Sequence, residues 1–110
     1  MRKAGVAEKY AYRVEWSAED NAHIANCLEF PSLFAHGRTA QEALLEVEKV
    51  VAETIRWMKE DGEDVPEPIT LRVYNGHLRL RVPKKVHKKI AMKSAEEGIS
   101  VNQYILARIQ

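Results

Sequence analysis

Residues 39–62, TAQEALLEVEKVVAETIRWMKEDG, contain the clearest structural signal of the sequence. They open with Thr39-Ala40-Gln41-Glu42, a capping box whose first and last side chains can each satisfy a backbone N–H of the first helical turn. Apolar residues then recur every three or four positions, which predicts one amphipathic helix that ends at Gly62. The predicted apolar stripe consists of Leu44, Val47, Val51, Ile55 and Met58, widened by Val50 and Trp57.

The residues before this helix predict a small antiparallel sheet. Alternation over residues 10–16 indicates a strand, one face of which carries Tyr10, Tyr12, Val14 and Trp16. After a polar turn, residues 22–28 return as a second strand, and residues 33–36 supply a short third one. Three strands and one helix form a two-layer unit near the lower size limit for independent folding.

Residues 69–82 allow two interpretations, because Asn75-Gly76 separates two alternating segments. Asn-Gly at such a place is typical of a hairpin turn within one chain. Alternatively, residues 69–74 join the edge of the first sheet, and residues 76–82 form a strand that must find its partner elsewhere. We favour the second interpretation, because two short helices follow, over residues 84–97 after Pro83 and from a capping box at Ser100 to the end.

One strand and two short helices cannot form a stable core alone, so two copies are expected to pair their strands antiparallel. The expected dimer core is Leu78, Leu80, Val82, Ile90 and Ile105. The first of the two helices is expected to carry Val86, Ile90, Ala91 and Ala95 on one side, and the last helix is expected to bury Val101 and Ile109 as well. His77, Arg79 and Arg81 then lie on the opposite face of the ribbon. Because a two-stranded ribbon fits the DNA major groove and arginine donates to guanine, these three are the candidate base-contacting residues. The candidate phosphate-contacting residues are Lys84, Lys85 and, at a helix N-terminus, Ser100, Val101 and Asn102.

The charge distribution is consistent with this division. Residues 1–68 hold 8 Lys and Arg against 14 Asp and Glu, a net charge of −6, whereas residues 69–110 hold 9 against 2, a net charge of +7. A basic segment concentrates polyanionic ligands, so the two parts are expected to have different partners. Mutual attraction of the two parts is the alternative.

Other functional classes find little support in the sequence. The longest apolar run is far too short for a membrane helix, and a cytoplasmic protein without membrane contact is expected. Cys27 is expected to be a plain buried thiol, and Trp16 and Trp57 to be core residues. The carboxylates do not converge as metal-dependent phosphodiester chemistry requires, so no catalytic residue, metal or cofactor is expected. His23, His36 and His87 are expected to be packing or surface residues.

The sequence resembles two known families. Leu78-Arg79-Leu80-Arg81-Val82-Pro83, His87 and residues 97–105, EGISVNQYI, resemble the ribbon-helix-helix module of the Arc/MetJ type. The front half is similar to the HicB family of type II toxin–antitoxin antitoxins. The residues that carry this similarity are Tyr12-Arg13-Val14-Glu15-Trp16, Asp20, Phe30-Pro31, Gly37, Thr39, Glu42-Ala43, Gly62 and Pro66-Glu67-Pro68. Asn21 and Ser32 stand where glycine is commoner in that family; both are turn positions, and Asn tolerates a left-handed backbone.

The resemblance implies an α+β protein with two domains. Residues 1–74, with a hinge at 66–68, would be a reduced RNase H-like sheet and helix that binds and neutralises a HicA-type mRNA interferase. Residues 75–110 would dimerise, bind operator DNA and repress the shared operon; a tetramer is left open. The alternatives are a stand-alone protein-interaction domain, a transcriptional regulator without a cognate toxin, and an RNA-binding regulator that uses the same basic residues.

Overall fold

The chain divides into two compact units, the first ending at Val73 and the second comprising Tyr74–Gln110, in a computed structural model that describes residues 5–110. The first unit contains β1 (Tyr12–Ser17), β2 (Ala22–Cys27), β3 (Phe34–Gly37) and α1 (Ala40–Glu60), with short 3-10 turns at Val6–Lys9 and Ile69–Leu71. The second unit contains α2 (Lys84–Glu97) and α3 (Val101–Ile109). The α+β class and the small antiparallel sheet are therefore confirmed.

The sheet is a three-stranded meander with the order β1-β2-β3. The β1–β2 turn contains Asn21 in the left-handed region, with φ of 49°, a conformation that asparagine tolerates better than most residues. Val14 of β1 lies opposite Ala25 of β2, which in turn lies opposite Ala35 of β3. This row of small and branched side chains forms the face on which α1 packs.

Helix α1 begins as the sequence predicts. The Thr39 hydroxyl accepts a hydrogen bond of 3.1 Å from the Glu42 N–H; within the described residues only this half of the expected capping box forms. The helix buries a stripe against the sheet and ends at Glu60, two residues before Gly62, whose left-handed φ of 72° suits glycine after a helix end. The buried residues of α1 are Ala43, Val47, Val51 and Ile55, with Leu44 and Met58 packed beside them.

Gly37 lets α1 approach the sheet closely. A Cβ atom at this position would lie 2.3 Å from the backbone nitrogen of Ala43 and 2.8 Å from its Cα. Both are backbone atoms of the first turns of α1, which cannot rotate away as a side chain can. The end of β3 and the start of α1 can therefore be this close only when position 37 is glycine.

Tyr10 has a different position from the one predicted. It precedes β1 instead of lying on it, and it is buried in the core with Phe30, whose ring centroid is 5.6 Å from its own. Its hydroxyl donates a hydrogen bond of 2.6 Å to the Pro66 carbonyl. Tyr10 therefore connects the entry to the sheet with the chain segment that follows α1.

Three predictions on this part of the chain are wrong. Trp16 and Trp57 are 54% and 55% exposed, because α1 does not cover the hairpin end of β1, and Trp57 lies on the flank of α1 outside its buried stripe. Residues 69–74 add no strand to the sheet, and residues 69–82 form no hairpin within the described chain. Instead, the Ile69 N–H donates to the Glu29 carboxylate, which holds this segment in a 3-10 turn. Within residues 5–110 no helix is long and apolar enough to cross a membrane.

Candidate nucleic-acid interface

The candidate base-contacting residues lie between Gly76 and Pro83, on a segment that forms neither a helix nor a strand within the chain. Gly76 adopts a φ of 79°, and the His77 N–H donates a hydrogen bond of 2.9 Å to the Asn75 side chain, so this dipeptide turns the chain locally without forming a hairpin. His77, Arg79 and Arg81 are all exposed and lie at alternate positions. In the paired ribbon predicted from the sequence, alternate side chains would point to the same side, so that the three would form one surface.

The apolar residues that alternate with them lack cover. Leu78 is 94% exposed and Leu80 is 66% exposed, whereas Val82, nearest to α2, is half-buried. Ile90 of α2 and Ile105 of α3 are also half-buried. Within the chain itself, the expected dimer-core residues are therefore incompletely covered.

The joint between the two helices is well defined. Gly98 adopts a left-handed φ of 68°, its N–H bonds to the Ala95 carbonyl, and the Ile99 N–H bonds to the Ser94 carbonyl. This pair of bonds is a Schellman motif, which satisfies carbonyls at the end of α2. The helices are also linked by Arg108, which donates to Glu97 at 3.2 Å and stacks 4.2 Å from the Tyr104 ring centroid.

The inner face of α2 differs from the predicted one. Ser94 is buried and its hydroxyl donates to the Ala91 carbonyl, whereas Ala91 and Ala95, predicted to lie on the inner side, are exposed. A serine can occupy a buried helix position when it satisfies its hydroxyl on the preceding turn, as this one does. In α3, Val101 and Ile109 are exposed within the chain, in contrast to the expected burial.

The capping box at Ser100 is complete. The Ser100 hydroxyl accepts from the Gln103 N–H at 3.0 Å, and the Gln103 side chain accepts from the Ser100 N–H at 3.1 Å. Of the predicted phosphate-contacting residues, Ser100 therefore already uses its backbone N–H. The N–H groups of Val101 and Asn102 have no acceptor among residues 5–110, and the helix dipole favours an anion there. Lys84 and Lys85 are exposed in the first turn of α2.

The remaining singled-out residues lie in the first unit or on α2. Cys27 is buried as predicted, and burial raises the pKa of its thiol despite hydrogen bonds from Phe30 and Glu29 that lower it. His36 is exposed and lies 3.4 Å from Asp20, and His23 contacts the Trp16 ring edge-on. Within residues 5–110, no three His, Cys, Asp or Glu residues are grouped so as to hold a metal ion.

Comparison with known proteins gives one result. No curated protein and no solved structure matches the chain. The model of the HicB family matches residues 59–109, which extend from the end of α1 through α3 and include, of the front-half motifs, only Gly62 and Pro66-Glu67-Pro68. This part of the chain is therefore similar to the HicB family.

Proposed function

We propose that this chain is a HicB-type antitoxin that represses its own operon. In this proposal, two copies pair residues 77–82 as an antiparallel ribbon, and His77, Arg79 and Arg81 of both copies enter the DNA major groove. The first unit, a reduced RNase H-like domain, binds and neutralises a HicA-type mRNA interferase. The match of residues 59–109 to the HicB family supports this assignment.

The observation that carries the DNA-binding part is the exposure of Leu78 and Leu80. Burying one leucine side chain fully contributes about 1.5–3 kcal/mol. A segment that leaves two leucines in water therefore favours the association of two chains that would bury them. Ser94 is the one buried residue of Tyr74–Gln110, a unit whose residues are all described, so this unit lacks a core of its own. A second copy would supply the missing cover and also double the arginine surface.

Two features of the first unit support a protein partner. It carries the acidic part of the sequence, which suits a basic, RNA-cleaving toxin. It also exposes more than half of each tryptophan, and tryptophan is enriched among residues that dominate protein interfaces. The acidic charge and the exposed tryptophans of this unit are both consistent with the docking of a basic toxin.

The decisive experiment separates the two activities in the full chain. The double variant Arg79→Ala/Arg81→Ala should lose retardation of a duplex taken from directly upstream of this chain's coding sequence, because it lacks the guanine donors, and should remain a dimer. The same variant should still rescue growth of cells that express a neighbouring small toxin gene. Arg13→Ala/Arg56→Ala, which removes two exposed arginines of the first unit, is the matched control and should bind the duplex normally.

Three outcomes would contradict the proposal. Unchanged retardation by Arg79→Ala/Arg81→Ala would remove the ribbon from DNA recognition. A wild-type chain that neither retards the upstream duplex nor binds the neighbouring gene product would favour a stand-alone interaction domain. Equal competition by single-stranded RNA would favour the RNA-binding regulator.

A further inference from the structure

Helix α2 carries a strongly charged face that the proposed ribbon does not use. Its residues line a shallow groove of about 300 Å³ along the helix: Lys85, Lys88, Lys89, Met92, Lys93 and Glu96. We call this set the lysine face. At 100° per residue it lies on the side of α2 opposite Ile90 and Ser94, the partly and fully buried positions. It is therefore a solvent face, with four cations and a single acid.

The lysines of this face destabilise helix α2. The first turn of α2 contains no acidic residue, and Lys84 and Lys85 stand at the positive end of the helix dipole. Lys85 and Lys89, like Lys89 and Lys93, are spaced four residues apart, where like charges repel. Among residues 5–110, no ion pair involves any lysine of this face. Lysines that destabilise their own helix, with no ion pair among the described residues to offset the repulsion, indicate a functional surface.

The dimensions of the face fit the backbone of a duplex. The nine residues from Lys85 to Lys93, separated by eight rises of about 1.5 Å, span about 12 Å of helix axis. Phosphates follow one another every 3.4 Å or so along the axis of each DNA strand, so several lie within reach of such a row. In sequence, the face begins at Lys85, two residues after Pro83 and close to the end of the segment with the proposed base-contacting residues.

We propose that the lysine face is a second, sequence-independent contact surface for the phosphate backbone of duplex DNA. This inference rests on the proposed DNA-binding function and deepens it. Bound phosphates would offset the repulsion between the lysines and the unfavourable charge at the start of α2. Flexible lysines act as point charges without base preference, so this face adds affinity and salt dependence and leaves the choice of operator to the ribbon.

The test uses the full chain and the variant Lys88→Gln/Lys89→Gln/Lys93→Gln, which leaves the ribbon and the predicted phosphate contacts at Lys84 and Lys85 intact. Glutamine matches lysine in helix propensity, so α2 should keep its helical content in circular dichroism. Lys9→Gln/Lys49→Gln/Lys59→Gln is the control, because it removes the same charge from exposed positions of the first unit. The probes are the upstream duplex and a random-sequence duplex of equal length.

We expect the α2 variant to bind both duplexes about tenfold more weakly at low salt, by the same factor, while the control variant binds like wild type. The slope of log K against log salt should become shallower by about 0.9 for each phosphate that is no longer neutralised. Wild-type affinity and slope in the α2 variant would overturn this inference and leave the proposed function standing. Weakening confined to the upstream duplex, or to an added single-stranded RNA probe, would overturn it too. A wild-type chain that binds neither duplex would overturn both proposals.

Discussion

The carboxylate of Glu29 accepts a hydrogen bond of 2.8 Å from the backbone N–H of Ile69, 40 positions further along the chain. The same carboxylate accepts from the Ala11 N–H at 3.1 and 3.2 Å and from the Cys27 thiol at 3.5 Å. Glu29 therefore joins the entry to β1, the end of β2 and the segment that leaves α1. The β1–β2 ladder already pairs the first two parts at Tyr12 and Cys27, so Glu29 adds their connection to the segment after α1.

Glu29→Gln should destabilise the first unit by about 1–3 kcal/mol. Glutamine keeps one acceptor oxygen, which can serve both N–H groups from the Oε2 position, but it loses the negative charge that strengthens these bonds and places an NH₂ group against the Ala11 N–H. Urea unfolding followed by tryptophan fluorescence measures this, because both tryptophans lie in the first unit. Glu53→Gln, on the exposed side of α1, is the control and should change little. Equal stability of the two variants would show that the bonds to Glu29 contribute nothing.

The contribution of Glu29 should depend on pH. Burial raises its pKa, but hydrogen bonds from the N–H groups of Ile69 and Ala11 outweigh burial, and the net pKa is lowered. The stabilisation is therefore complete above the ordinary glutamate pKa of about 4.3 and is lost as the pH falls through the lower folded value. The difference in unfolding free energy between wild type and Glu29→Gln should be largest near pH 7 and shrink below about pH 4. A difference that grows on acidification would contradict this sign.

Gly37→Ala should destabilise the first unit by about 1–3 kcal/mol, the usual range for overpacking. The new methyl group would meet backbone atoms of Ala43 at 2.3 and 2.8 Å, so α1 must move away from the sheet. Gly5→Ala is the matched control, because its methyl group would meet only Glu8 at 3.9 Å, an ordinary contact. Thermal unfolding of both variants measures the difference. Equal midpoints would mean that α1 can shift at no cost.

The sequence predicted the elements whose signals are local. Helix α2 occupies the predicted residues 84–97, and the caps at Thr39 and Ser100 form, because a capping side chain and the apolar period act within a few residues. The β1–β2 hairpin was found for the same reason. The sequence does not show which apolar residues of α1 and β1 the fold leaves exposed. The prediction that Trp16 and Trp57 are core residues is therefore wrong.

Long-range contacts account for the other differences. The alternation of Ile69, Leu71 and Val73 resembles a strand, yet the Ile69 N–H bonds to Glu29, and no local pattern reveals a partner 40 positions away. For the candidate site, the sequence predicted the two helices that follow Pro83, whereas residues 76–82 form no strand within the chain and their pairing with a second copy stays a prediction. The sequence shows the positive charge of the lysine face. Only the burial of Ile90 and Ser94 in the structure shows that this face lies opposite the inner side of α2.

The last prediction concerns the ribbon. Leu80→Asp should convert the full chain from dimer to monomer and abolish binding to the upstream duplex, because a carboxylate in the proposed dimer core would lose its hydration without gaining a partner. Leu45→Asp, which replaces a leucine of α1 that is similarly exposed within the chain, is the control and should remain dimeric. Sedimentation velocity distinguishes the two states. If Leu80→Asp stays a dimer, or if wild type is itself a monomer, residues 77–82 do not pair between copies and Leu80 must be covered in another way.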